Sequence, residues 1–315
     1  MARYLFRRLL QFLPVLLLGS IAIWAIIYAA PGDPALAVAG TDATQEEIDA
    51  TRERLGLDRP IHEQYLRWVG NVVHGDLGTS IAGGGPIAAQ LAARLPASIQ
   101  LAVSALTLGL LMALPIGLYK ALRPRSPLTR VINSYQVIAL AVPHFWVGMV
   151  LVLLLAIYAR SLPAISDFVP FWKNPGAAFR NTILPALSLA FYLSSVFSRF
   201  IATSVEEALT EDYVRTARAK GLFETTVVLR HALRNALLPI VTVIGLQLGA
   251  LIGGAIVIEA VFNYPGVGRL IYTAVAARDY PTIQATVLVV MLSFLIINLA
   301  IDILYACLDP RIRLE

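Results

Sequence analysis

The chain has 315 residues, 58% of them hydrophobic and only 14% charged, whereas a soluble protein of this size carries about a quarter charged residues. A mean hydropathy of +0.72 with a net charge of +5 excludes an ordinary soluble globule and points to a membrane protein. A single cysteine, Cys307, excludes an internal disulfide and any cysteine cluster for zinc, and reads as a small apolar filler.

The chain opens MARYLFRRLLQFLPVLLLGSIAIWAIIYAAPGDP. Its charge-free run from Leu9 to Gly32 is too long for a signal peptide and long enough to cross the hydrocarbon core, which takes about 20 residues. Residues 1–30 therefore read as a cytosolic N-tail and a retained membrane helix. Further charge-free windows lie between Arg94 and Lys120, Arg130 and Arg160, Arg180 and Arg199, Arg234 and Glu259, and Asp279 and Asp302. The expectation is an all-α polytopic membrane protein with six spans, and so with both termini on one side. The third window contains VPHFWVG, where Pro143 removes a backbone donor and is expected to kink the helix.

Lys120, Arg123, Arg125 and Arg130 crowd a short loop that contains no acid. By the positive-inside rule this loop is cytosolic, and with it both termini and the 204–239 loop. Residues 31–95 then form a small helical extracytoplasmic subdomain. Within it, TQEEIDATRERLGL begins with a capping box of Thr44 and Glu47 and stops at Gly56. The following IHEQYLRWVGNVVHGD places Tyr65, Trp68, Val69, Val72 and Val73 on one helical face. AGGGP marks a turn before the second span. Residues 96–308 carry helices 2–6, and 309–315 form a cytosolic C-tail.

Catalytic signatures are missing. The lysines Lys120, Lys173 and Lys220 follow Tyr, Trp and Ala, so there is no Gly-Lys of a phosphate-binding loop. The four histidines, His62, His74, His144 and His231, are scattered, and Gly78–Ser80 lacks the closing glycine of a nucleophile elbow. No catalytic and no metal-binding constellation can be assembled.

Three features in the spans invite two readings each. Gly245, Gly249 and Gly253 recur at four-residue spacing, a close-packing stripe that serves either a pathway and partner subunit or packing within the chain. Asp302 is either a functional intramembrane acid or an interfacial partner of Arg311 and Arg313. His144, beside Pro143, either contacts substrate or fills the hydrogen-bond ladder that the proline breaks.

The most informative stretch is RTARAKGLFETTVVLRHALRNALLP, Arg215 to Pro239. Gly221 divides it into two helices, through a left-handed turn that other residues enter at a steric cost. The first helix, Val205 to about Lys220, sets Leu209, Tyr213 and Ala217 on one face and Arg215 and Arg218 on another. The second carries Val228, Leu233 and Leu237 as an apolar stripe, with Arg230 and Arg234 four apart. Leu238-Pro239 marks where the next span starts. An amphipathic hairpin on anionic lipid explains the bases alone. A nucleic-acid helix-turn-helix is at odds with a loop tied at both ends to the membrane. Five acids between Val205 and Glu224 nearly balance the local bases, and mixed charge favours docking on a cytosolic protein.

These residues resemble the cytosolic coupling loop of ABC importer permeases, whose general pattern is Glu-Ala-Ala, three residues, Gly, and later Leu-Pro. Here Arg215-Thr216-Ala217 replaces Glu-Ala-Ala, and 17 residues separate Gly221 from Pro239. Both departures resemble the peptide-uptake branch, as do PGDP, LGLDRPIHEQY, HGDLGTS, VPHFWVG, IEAVFNYPGVGRLI, RDYPTIQA and DILYACLDPRIRL. The resemblance covers nearly the whole chain and implies the first of two permeases of a dipeptide, oligopeptide, glutathione or nickel importer in a bacterial inner membrane. It implies a second homologous permease, two cytosolic ATPase subunits and an extracytoplasmic binding protein as partners, and no nucleic acid. ATP and Mg would sit on the ATPases and no cofactor on this chain. The segment with Tyr213, Arg215, Thr216, Ala217, Arg218, Lys220, Gly221, Arg230 and Arg234 would couple to an ATPase. The alternative is a secondary transporter or channel without ATPases.

Overall fold

The computed structural model describes residues 2–29, 33–40 and 43–308. Its elements are α1 (Ala2–Ala29), α2 (Pro34–Ala39), α3 (Gln45–Leu55), α4 (Ile61–Val73), α5 (Ile87–Leu122), α6 (Pro127–Ala141) and α7 (His144–Leu151), which continues as a π-helical segment Val152–Tyr158. Then come α8 (Pro175–Thr210), α9 (Asp212–Ala219), the short α10 (Glu224–Thr226), a second π-helical segment Val227–Ala232, α11 (Leu233–Val261), α12 (Val267–Ala276) and α13 (Tyr280–Leu308). Among the described residues the only β-pairing is one isolated bridge, Thr79 to Pro86, across the AGGGP turn.

Among the described residues three helices are long and apolar enough to cross a membrane, in α5, α8 and α13, and two bent pairs raise the number to five. These overlap five of the six predicted windows. The apolar part of α1, Leu10–Ala25, is shorter. The window between Arg180 and Arg199 proves too narrow, since α8 extends to Thr210. Arginines at the ends of a span keep their heads in water and do not stop a helix.

The chain divides into two compact units. The first comprises Met1–Leu95 and Arg269–Leu295. In it the Thr44–Glu47 capping box is formed in both directions, and α3 ends on Gly56 in the left-handed conformation. The Tyr65 hydroxyl lies 2.8 Å from Ser20 Oγ, and its ring meets Trp24 edge-on at 5.7 Å. Trp68, Val69 and Val72 are also half-buried, but Val73 is 76% exposed. It is the last helical residue, and the chain turns away at His74.

The N-terminus of α13 is built around Asp279, which is buried. Its carboxylate accepts hydrogen bonds from Ser80 Oγ at 2.5 Å and Thr282 Oγ1 at 2.8 Å, and so ties the 80–86 turn to the helix start. Burial alone would raise this carboxyl, but the donated hydrogen bonds outweigh it and hold it below the usual carboxylate range.

The second unit comprises Pro96–Gly268 and Ile296–Glu315, with α8 as its axis. Leu189, Leu193, Phe197, Ile201 and Val205 recur every fourth residue and are all buried. Against them α5 presents Ala97, Leu101, Ala105, Gly109, Ala113, Gly117 and Ala121, also every fourth residue and buried. A Cβ at Gly109 would stand 2.9 Å from Leu193 Cβ, and one at Gly117 would stand 2.7 Å from Ile201 Cβ. The stripe is a small-residue seam that lets two membrane helices touch backbone to side chain.

On another side of α8 the contacts are polar. Tyr135 OH meets Ser194 Oγ at 2.5 Å. Gln136 Nε2 donates to Ser198 Oγ at 2.8 Å and its Oε1 accepts from Lys120 Nζ at 2.9 Å. Such interhelical bonds are worth about 1 kcal/mol each in a bilayer. They fix α6 in place, while Pro143 breaks the span so that the segment from His144 turns by 103°. The expected kink is therefore a full break. Val142 takes an extended conformation, φ −87° and ψ 127°, because a residue before proline is driven out of the helical region.

At the far end of α11 the buried Glu259 accepts from Ser98 Oγ at 2.6 Å, and Ser98 Oγ accepts in turn from Val267 N at 2.8 Å. A Cβ at Gly266 would overlap the Glu259 carboxylate, which is why the FNYPGVG turn needs glycine there.

Two outcomes test this packing. Gly117→Leu should lower stability by about 1–3 kcal/mol through overpacking, seen as a lower thermal midpoint in detergent, whereas Leu111→Ala on the exposed face should not. Asp279→Asn should cost about 1–3 kcal/mol at pH 7. Because the Asp279 pKa is depressed on folding, its stabilisation is present above the ordinary carboxylate range and disappears as pH falls through the folded value. The gap in thermal midpoint between wild type and variant should therefore close on acidification; a constant gap would contradict this role.

Candidate functional site

The segment from Ser204 to Pro239 is a folded unit rather than a free loop. α8 ends at Thr210, and Glu211 takes an extended conformation, φ −70° and ψ 150°, before α9 begins. The first predicted helix is thus two helices with a break between them. That break undoes the expected face of Leu209, Tyr213 and Ala217, since helical periodicity does not carry across it. Val214, Ala217 and Val227 are buried together with Leu209 packed on them, and Tyr213 is 37% exposed.

α9 closes with a Schellman motif. Gly221 N donates to Arg218 O at 2.9 Å, and Leu222 N to Ala217 O at 3.4 Å. Gly221 has φ +74°, and the space where a Cβ would stand is empty. Glycine is needed here for its backbone conformation and not for room. Arg218 brackets the turn, its guanidinium donating to Glu224 at 2.6 Å and 3.1 Å. This exposed bidentate pair adds little stability, about 1 kcal/mol at most, but it fixes the direction in which the chain leaves the turn.

Beyond the turn, π-helical geometry shifts the side-chain register. Val227, Val228, Ala232, Ala236 and Ile240 are buried, and Leu237 is 44% exposed. The expected stripe through Val228, Leu233 and Leu237 is therefore rotated at its end, because a π turn takes up one more residue than an α turn. Pro239 does not start a new helix: it lies inside α11, where the axis bends by 52° between Leu237 and Pro239.

The outward face of this unit carries Tyr213, Arg215, Thr216, Arg218, Lys220, Arg230 and Arg234. Arg215 pairs with Asp212 at 3.3 Å. Leu222 and Phe223 join this face at 40% and 83% exposure. These two residues belong to no four-residue stripe and are not among the residues that the sequence alone singles out. Their signal is position: two large apolar side chains directly after a turn glycine.

The predicted pathway residues are placed separately. Gly245 is a close-approach position, where a Cβ would stand 2.7 Å from Ile301 Cγ2. Gly249 is buried, and the surroundings of Gly253 lie outside the described residues. Pro143 and His144 form the start of α7, and His144 lines a cavity of about 290 Å³ with Tyr192, Gln247 and Gly254. Asp302 is half-buried and engaged in a polar interaction; Arg311, Arg313 and the side chain of Cys307 lie outside the described residues. Among the described residues, no three His, Cys, Asp or Glu side chains converge to hold a metal.

Residues 113–314 match the family described as binding-protein-dependent transport system inner membrane component, and residues 1–102 match its N-terminal part. The chain is 40% identical over 314 residues to the glutathione transport system permease protein GsiC of Salmonella paratyphi A, covering 99% of each chain. It is 38% identical to the GsiC of Escherichia coli strain K12, again over 99% of both.

Proposed function

The chain belongs to the family of inner membrane components of binding-protein-dependent transport systems, and we propose that it forms half of the translocation pathway for glutathione or a related short peptide. It is a multi-pass permease subunit of an ABC importer, a transport component and not an enzyme. The substrate class comes from relatives named for glutathione transport over the full length of the chain.

In this reading the membrane is crossed six times, by α1, α5, the broken α6–α7 pair, α8, the bent α11 and α13, with both termini and the 204–239 unit in the cytosol. Residues 31–95 form the extracytoplasmic subdomain, near the binding protein. A second permease completes the pathway, and ATP and Mg sit on two ATPase subunits.

The observation that carries the coupling role is the Gly221 unit. Its apolar residues Val214, Ala217 and Val227 are packed inward, so α9 has no greasy face to lay on lipid. Exposed Leu222 and Phe223 stand at the tip beside Arg215 and Lys220, an apolar anchor with a charged rim of the kind that docks in a protein groove. A stiff docked unit passes ATPase closure to α8 and α11, the helices that frame it.

Gly221→Val forces a β-branched residue into the left-handed region at about 1–2 kcal/mol or more. It should leave the chain inserted but lower ATP-driven uptake in proteoliposomes at least about tenfold. Gly221→Asn should retain most uptake, since Asn tolerates this conformation. Arg218→Glu, which sets two carboxylates together, should behave like the Val variant. Normal uptake by both disruptive variants would refute the docking role. The chain should also co-purify with a Walker-containing subunit and neither bind nor hydrolyse ATP alone; hydrolysis by the isolated chain would overturn this division of labour.

A further inference from the structure

The break at Pro143 leaves three polar side chains facing one cavity within the spans. His144 is the first residue of α7, whose N-terminus has no side-chain cap. It is half-buried, as are Tyr192 on α8 and Gln247 on α11. The His144 and Tyr192 rings stand 6.4 Å apart. All three line the cavity of about 290 Å³, whose apolar walls include Leu193 and Leu251. A Cβ at Gly254 would stand 3.8 Å from His144 Nε2, so any longer side chain there would fill the space. Among the described residues, neither the Tyr192 hydroxyl nor the Gln247 carboxamide has a protein hydrogen-bond partner.

Polar groups inside a bilayer are costly and normally pair with one another. The His144 imidazole is already engaged by the Gly254 backbone, but Tyr192 and Gln247 face the common space unpartnered, above an apolar floor, and are arranged for a ligand that supplies the partner. Phenol O–H and amide N–H₂ are the donors left for it, and the positive end of α7 lies at His144 in the same cavity. No acid lines the cavity, so the positive helix end stands there unopposed and favours an anion over an ammonium group. No Lys or Arg lines it either, which keeps binding weak enough for the ligand to leave, as passage requires. The volume lies at the small end of ligand sites and suits one end of a short peptide.

We propose that Tyr192 and Gln247, with His144 at the start of α7 forming the wall beside them, make a transient subsite for the C-terminal carboxylate of the transported peptide. The subsite rests on the permease reading above and adds a stereochemical check inside the membrane to whatever selection the binding protein makes.

The test uses the complete importer in proteoliposomes and compares uptake of glutathione with that of its glycine carboxamide, each saturating the binding protein. Loss of one hydrogen bond to a charged group corresponds to about tenfold. Tyr192→Phe and Gln247→Leu should therefore lower glutathione uptake about tenfold while the carboxamide rate follows wild type. Gln247→Glu, nearly isosteric, sets a carboxylate against that of the substrate and should deepen the selective loss. If the variants lose both substrates equally, or lose neither, the subsite is wrong while the importer reading stands. If wild type takes up neither compound with ATP, the glutathione reading falls and the subsite with it.

Discussion

Close approach along α8 is the constraint on which the 96–268 and 296–315 unit depends. In lipid the hydrophobic effect does not pull helices together, because hydrocarbon tails are as apolar as leucine. Cohesion must come from packing and from interhelical hydrogen bonds. The ridge from Leu189 to Val205 needs a surface without side chains opposite it, and the α5 seam of Ala105, Gly109, Ala113 and Gly117 supplies one. Ser194 and Ser198 hold α6 by accepting from or pairing with Tyr135 and Gln136. With α6 fixed in this way, the chain can tolerate the break at Pro143, and α7 can approach closely where Gly148 meets Phe262 and Ser188.

The same logic shapes the two places where the permease departs from regular helix. At Gly221 the backbone turns left-handed, and the residues behind the turn are buried, so the tip is stiff. At Pro143 the backbone is interrupted, and the residue after it stands at a cavity between α8 and α11. A transport subunit needs both kinds of feature, a rigid part that can receive a push and an incomplete part that can receive a solute. The two are separate along the chain, and α8 contributes residues to both.

Much of this was legible in the residues. Charge-free windows located five of the helical spans now seen, because the cost of burying Lys, Arg, Asp or Glu in hydrocarbon leaves a clear trace. The Thr44–Glu47 capping box and the Gly56 and Gly221 turns were legible because each is settled by a few neighbouring residues. What failed was helical phase. Four-residue spacing puts Tyr213 on one face with Leu209 and Ala217, and the break at Glu211, which separates them, has no composition of its own. The apolar stripe of Val228, Leu233 and Leu237 does not survive to its end, because a π turn looks like any other apolar helix in sequence. The α5 seam is plainly periodic once its partner is known, but alanine and glycine are common in every membrane helix.

The sequence by itself therefore determined the membrane class, the all-helical architecture, the Gly221 turn and, through its ordered motifs, the importer family, because each depends on composition or on short-range backbone chemistry. Tertiary structure alone decided which face of α9 is outward and that Leu222 and Phe223 stand at the tip. It alone brought His144, Tyr192 and Gln247, from three different helices, to one cavity. Those facts depend on how helices far apart in sequence are rotated against one another, and a single π turn or extended residue changes that rotation without altering the pattern of polar and apolar residues that sequence reasoning reads.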